Sequence, residues 1–165
     1  MIEATGPEHP TIRSLVRMRP TAWSLAVRML GSEQGAEDIV QQAYVNAIAH
    51  LRVGPVPRNE YAWFLTVVAN AVRDHQRREA TFRRRAMFVP RERPPVEDAG
   101  ADGELVKGLR TALRLLDRKY REPVALCCQQ GLTHREAAAA LELPRSTVTR
   151  RVEEGLAQLR RNLSG

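Results

Sequence analysis

The chain has 165 residues, 43% of them hydrophobic and 27% charged, which suits one globular domain or two small ones and excludes a disordered tail. Only 5% are aromatic, so the core must be built from Leu, Val, Ile and Ala, a composition that favours helices over a β-sandwich. The net charge of +7 rests almost wholly on Arg, with Lys only at Lys107 and Lys119, and suggests a polyanionic partner, nucleic acid or an anionic membrane.

In chain order, the first helix is predicted over about Thr11 to Leu30. Ile12, Leu15, Val16, Trp23, Ala26, Val27 and Leu30 recur at helical spacing, and Pro20 should kink or split it. Gly31 stops this helix, and Ser32 is placed to cap the next, with Glu33, Glu37 and Asp38 at its positive end. Ile39, Val40, Ala43, Tyr44, Ala47, Ile48 and Leu51 form the apolar face of the second helix. Asp38, Gln41, Gln42 and Asn46 form its polar face.

Arg52 to Glu60, RVGPVPRNE, is a loop, because one Gly and two Pro interrupt any period. A third helix runs from about Tyr61 to Arg85 and changes character midway. YAWFLTVVANAV is apolar, with Trp63 expected in the core, whereas RDHQRREATFRRR is basic and polar. Such a helix starts in a core and projects its charged end toward a partner or solvent.

Pro90 to Glu104 combines three Pro, two Gly and clustered acids, and reads as a flexible acidic linker. A second helical module starts near Leu105, with an apolar face from Leu105, Leu109, Ala112, Leu113, Leu116, Val124, Ala125 and Leu126. Pro123 is tolerable early in a helix holding Val124 to Gln130, which Gly131 ends. The adjacent Cys127 and Cys128 have no metal-ligand spacing and are expected as small buried hydrophobes. Thr133 to Glu136 is a capping box ahead of an Ala-rich helix to Leu141, and after Pro144 a last helix covers about Arg145 to Asn162.

A capped short helix, a tight turn and a longer basic helix make a helix-turn-helix, whose second helix enters the major groove. Val148, Val152, Leu156 and Leu159 form its buried stripe, so the residues between them face outward. Arg145, Ser146, Thr147, Thr149, Arg150 and Arg151 are the candidate base and phosphate contacts, because Arg pairs with guanine and hydroxyls bond bases or phosphates. The arginines of the third helix suit single-stranded nucleic acid, and aromatics near its start could stack on unpaired bases. A solvated charged face would account for the same residues without DNA.

Together these segments resemble the extracytoplasmic-function sigma factors of bacterial RNA polymerase, from about Leu25 to Leu163. GAEDIVQQAYVNAIAHL resembles the segment that docks on the polymerase clamp, and EYAWFLTVVANAVRDHQRR the minus-10 recognition and melting helix. LLDRKYREPVALCCQQGLTHREAAAALELPRSTVTRRVEEGLAQLRR resembles the module that reads the minus-35 element. The resemblance implies an all-α fold: a first module over 1–88, a linker over 89–104 that threads the polymerase channel, and a second module over 105–165.

It further implies clamp contacts from Asp38, Gln41, Gln42 and Asn46, and minus-10 contacts from Arg58, Asn59, Asn70, Arg73, Asp74, Arg77 and Arg78. Core RNA polymerase (beta-prime clamp and beta flap), promoter DNA and an anti-sigma factor are the implied partners. Gln42 stands where the family has Glu, and Cys and Ala replace bulky aliphatics in the second module, which implies a thinner core there.

Other classes fit less well. No metal-binding HExxH, P-loop or GxSxG is present, and Asp74 and His75 are adjacent helix residues whose side chains point apart, so no catalysis, cofactor or metal is expected. The polar start MIEATGPEHP is no signal peptide, and no apolar run approaches the ~20 residues of a bilayer span, so no membrane insertion and a cytoplasmic location are expected. A free-standing helix-turn-helix regulator is the alternative; no coiled-coil seam supports its dimerisation.

Overall fold

The computed structural model describes residues 10–86 and 103–164. These form α1 (Pro10–Arg17), α2 (Arg19–Leu30), α3 (Ala36–Val53), α4 (Glu60–Ala86), α5 (Glu104–Leu115), α6 (Arg118–Val124), α7 (His134–Leu141) and α8 (Arg145–Ser164). Among the described residues there is no strand. The predicted linker lies outside the described residues except for Gly103 and Glu104.

The break expected at Pro20 falls at Met18, two residues earlier. Proline has no N–H and its ring excludes the carbonyl four residues back, so the chain restarts with Pro20 in the first turn of α2. Gly31 ends α2 at φ 72, its N–H bonded to the Val27 carbonyl. Ser32 does not cap the next helix: its Oγ accepts from Gln34 N at 3.1 Å, and α3 begins only after Gly35, at φ 83. Two left-handed glycines make this turn, which moves the helix start beyond the reach of Ser32.

α2, α3 and α4 enclose the main core, with Leu25, Met29, Val40, Phe64, Leu65, Val68 and Val72 fully buried. Tyr44 donates its hydroxyl to the Leu15 carbonyl at 2.7 Å, which ties α3 to α1. Trp63 is only half-buried, packed on this core with its ring beside that of His50.

The second group of helices packs directly on the first. Leu126, Leu132, Ala137, Ala140, Leu141 and Val148 belong to the same continuous core as α2–α4. A small satellite core of Ala112, Leu113, Leu116, Val124 and Leu159 is all that α5, α6 and α8 keep to themselves. α5 enters it through its C-terminal half only. Leu105, expected on the buried face, is 81% exposed, and Leu109 is exposed as well, since the satellite core ends short of them.

Pro123 lies inside α6 rather than at the start of the following helix, and a wide π turn over Ala125–Gln129 follows it, with Gln130 N bonded to the Ala125 carbonyl. Within this turn Cys127 is half-buried, packed on the edge of the main core, and Cys128 is exposed, against the expectation that both are buried. Burial still pushes the Cys127 thiol up to about 11, with Cys128 and Glu136 adding to the rise.

Candidate nucleic-acid interface

The helix-turn-helix is assembled by local devices. Thr133 Oγ1 accepts from Glu136 N at 3.1 Å, and Glu136 Oε2 accepts from Thr133 N at 2.8 Å, so the capping box forms in full. Ala137, Ala138 and Ala140 are buried, and their small side chains let α7 lie close against α4. α7 ends on Glu142, a non-glycine residue held at φ 53, with Leu143 N bonded to the Ala138 carbonyl.

Pro144 then accepts the first helical bond of α8 from Val148 N at 3.1 Å. Val148, Val152 and Leu159 are buried as the spacing predicts, with Leu156 partly so. Gly155 allows α8 to cross α6 closely, since a Cβ there would sit 2.9 Å from Val124 Cγ2.

Of the six candidate contacts on α8, Arg145, Ser146 and Arg150 are exposed, while Thr147 and Arg151 are half-buried. The Thr149 hydroxyl is instead 2.9 Å from His134 Nδ1, which fixes α8 against the start of α7. Sequence reasoning gave His134 no role. Its position directly after the Thr133 cap, fifteen residues before Thr149, becomes a signal only once the turn geometry is known.

The α4 candidates are disposed differently. Arg77, Arg78, Arg83, Arg84 and Arg85 are exposed, but Arg73 is only 8% exposed. Arg73 Nη2 donates to Asn70 Oδ1 at 2.6 Å and stands 3.4 Å from the Glu142 carboxylate. Arg77 bonds Asp74 at 3.2 Å and reaches the same Glu142 at 3.9 Å. Asn70, Arg73, Asp74 and Arg77 therefore form one polar cluster, closed from the other module by a single acid.

In the preceding loop Arg58 is exposed. Asn59 caps α4, its Oδ1 accepting from Ala62 N at 3.0 Å, while its Nδ2 donates to Glu136 at 3.1 Å. Tyr61 donates to the Gln130 carbonyl at 2.9 Å. The N-terminal half of α4 is thus covered by α7 and the turn before it, and its basic end runs past them into solvent.

Asp38, Gln41, Gln42 and Asn46 are all exposed on α3, with Gln42 Nε2 donating to Asn46 Oδ1 at 2.9 Å. Asp38, Gln42 and Asn46 share a polar concavity of about 350 Å³ with Asp74, His75 and Arg78 of α4. Residues read separately as clamp contacts and as minus-10 contacts therefore meet at one notch, which the sequence did not reveal because it forms only where α3 and α4 pack side by side.

Residues 15–82 match the family model described as Sigma-70 region 2, and residues 107–159 that described as Sigma-70, region 4. The ECF RNA polymerase sigma factor SigE of Mycolicibacterium smegmatis is 29% identical over 168 residues, covering 97% of this chain and 65% of that protein. The chain therefore spans about two-thirds of the length of that relative. The ECF RNA polymerase sigma factor SigL of Mycobacterium tuberculosis is 29% identical over 147 residues, 86% of this chain and 81% of its own.

Among solved structures, the sigma factor RpoE in complex with the anti-sigma factor NepR from Bartonella quintana superposes with a TM-score of 0.81. Its identity is 22%, over 92% of this chain and 95% of that one, a likeness of fold. CnrH in complex with the cytosolic domain of CnrY gives a TM-score of 0.62 at 27% identity, over 92% of this chain and 86% of that one.

Proposed function

This chain belongs to the extracytoplasmic-function family of RNA polymerase sigma factors, and we propose from that premise that it binds core RNA polymerase and directs initiation at a specific set of promoters. The observation that carries this reading is the pairing, in one chain and in order, of a region 2 match containing the half-apolar, half-basic α4 and a region 4 match containing an outward-facing helix-turn-helix.

In this reading residues 1–88 dock on the beta-prime clamp through Asp38, Gln41, Gln42 and Asn46, residues 89–104 are the linker, and residues 105–165 read the minus-35 duplex and meet the beta flap. Arg145, Ser146, Thr147, Arg150 and Arg151 reach DNA, while Thr149 acts by orienting α8 through His134. Arg58, Asn59, Asn70, Arg73, Asp74, Arg77 and Arg78 hold the displaced minus-10 strand. Melting then needs no covalent chemistry, because a protein that binds only the open strand shifts the duplex equilibrium toward opening.

The covering of α4 by α7 sets one requirement: Glu142 must leave Arg73 and Arg77 before a strand can take its place. Each module offers a few phosphate contacts, which weaken steeply with salt, so both must be held together on polymerase to act. An anti-sigma factor is a fitting controller, as RpoE is seen with one. Among the described residues no helix is long and apolar enough to cross a membrane.

The test is transcription in vitro from randomised promoters by core polymerase, with and without the chain. Expected are transcripts that need the chain, from templates sharing two elements at fixed spacing. R150A with R151A should relax selection at the upstream element alone. Duplex retention by the chain without polymerase, with no dependent transcript, would make it a free-standing helix-turn-helix regulator instead.

A further inference from the structure

α4 carries two basic faces, and the second group of helices covers only one of them. Arg73 and Arg77 face Glu142 at the end of α7. On the other side of the helix Ala71, His75, Arg78, Phe82 and Arg85 follow the i, i+4, i+7, i+11, i+14 spacing of a single stripe. The first three of these line the notch shared with α3. α3 starts beside them: a Cβ on Gly35, the residue before its first turn, would lie 3.7 Å from the His75 ring. The stripe runs on past that end of α3, and there Phe82 is 70% exposed and Arg85 is exposed.

Phe82 is the most exposed aromatic side chain among the described residues. It stands at the opposite end of α4 from the aromatics that the sequence offered for stacking. Of those, Phe64 is fully buried, Trp63 is half-buried beside His50, and Tyr61 is bonded to the Gln130 carbonyl. The fold uses these rings for itself and leaves Phe82 in the open.

The surroundings of Phe82 are cationic. His75 and Arg83 stand 3.6 and 3.7 Å from Glu79, whereas Arg78, Arg84 and Arg85 make no ion pair among the described residues. An open ring between uncompensated guanidiniums suits a partner that is anionic and also offers a flat apolar face. Duplex DNA meets only the first need, because its bases are stacked inside. An unpaired strand meets both.

We propose that the Arg78–Phe82–Arg85 stripe is a second surface for single-stranded DNA, on which Phe82 stacks against an unpaired base and the two arginines hold the flanking phosphates. It differs from the Arg73–Arg77 face in being open while α7 covers α4, so it holds a strand before the two helical groups separate. That this strand is promoter DNA rests on the sigma-factor reading. The stacking itself is measured without polymerase or promoter, so the failure of either is seen separately.

The experiment is an anisotropy titration of the full chain with a labelled oligothymidylate, an abasic strand and a duplex of the same length, at several salt concentrations, with melting curves alongside. Expected is binding of the oligothymidylate about tenfold tighter than of the abasic strand. Phe82→Ala and Phe82→Leu should both lose that margin and Phe82→Tyr should keep it, with melting temperatures and duplex affinity as in wild type. R78Q with R85Q should weaken binding to every strand and flatten the logarithmic salt slope for the oligothymidylate by about 1–1.5. Leu105→Ala, which removes an exposed apolar side chain elsewhere, should bind as wild type. Wild-type binding by Phe82→Ala, full retention by Phe82→Leu, an equal loss on the abasic strand or duplex, or an unchanged salt slope in R78Q/R85Q would overturn the proposal. So would Phe82-dependent binding to phosphatidylglycerol vesicles in place of the strand, which would make the stripe a membrane-surface contact.

Discussion

The two helical groups solve the problem of stability differently. α1–α4 bury Phe64, Leu25, Met29, Leu65, Val68 and Val72 completely, around a core that α2, α3 and α4 share. α5–α8 keep only Ala112, Leu113, Leu116, Val124 and Leu159 as a core of their own and lean their alanine face on α4. A unit of about 60 residues buries too little surface to be more than marginal alone. The second group is thus supported by the first, and it covers the face of α4 that the proposed function assigns to a DNA strand. Under that proposal, separating the groups on polymerase would uncover that face and remove the support together.

Phe64→Ala should show the asymmetry most strongly. It removes a fully buried ring from the shared core and should cost about 3–5 kcal/mol. Leu113→Ala, in the satellite core, should cost about 2 kcal/mol, near the low end for such a truncation. Urea unfolding of each variant checks this, and equal losses would show that the second group is not the weaker one.

Gly155→Ala sharpens the comparison within the second group. On helix propensity it should stabilise α8 by about 1 kcal/mol. The new Cβ would lie 2.9 Å from Val124 Cγ2 and 3.3 Å from Tyr120 Cβ, so α8 must move off α6, for about 1–3 kcal/mol of overpacking. The expected net result is a lower melting temperature; a higher one would mean that the α6–α8 crossing yields easily. Thr133→Ala loses the hydroxyl half of the capping box and should cost about 1 kcal/mol, read from the same melts.

Gly155 also marks the limit of what the sequence could tell. Helices, the capping box at Thr133 and the α8 stripe were legible, because each depends on spacing within one segment. So were the two modules, matched as region 2 and region 4. What was not legible depends on contacts between segments. Ser32 looked like a cap until two left-handed glycines moved the helix start. Leu105 and Leu109 looked buried because periodicity marks an apolar face without saying how far the opposing core extends. Cys127 and Cys128 looked buried because a π turn has no local signature. The bond between Thr149 and His134 was not legible because the two stand on different helices.

Glu142 belongs to that second class, and it offers the smallest and most discriminating change. It sits at φ 53, unfavourable for a residue with a Cβ, with its side chain 67% exposed, yet it reaches both Arg73 and Arg77. Exposed pairs of this kind contribute at most about 1 kcal/mol, so Glu142→Gln should hardly move the melting temperature. Its effect should appear in binding. With the acid gone, Arg73 keeps Asn70 but loses the group that occupies the place of a phosphate, and affinity of the isolated chain for a single-stranded minus-10 oligonucleotide should rise a few-fold. Glu142→Gly removes the same carboxylate and also relieves the backbone by up to about 1 kcal/mol, so it should bind the oligonucleotide like Glu142→Gln but melt higher. Matching gains in binding with different melting temperatures would assign the effect to the charge. An unchanged affinity in both would mean that the packing of α7 on α4, and not this ion pair, keeps the strand out.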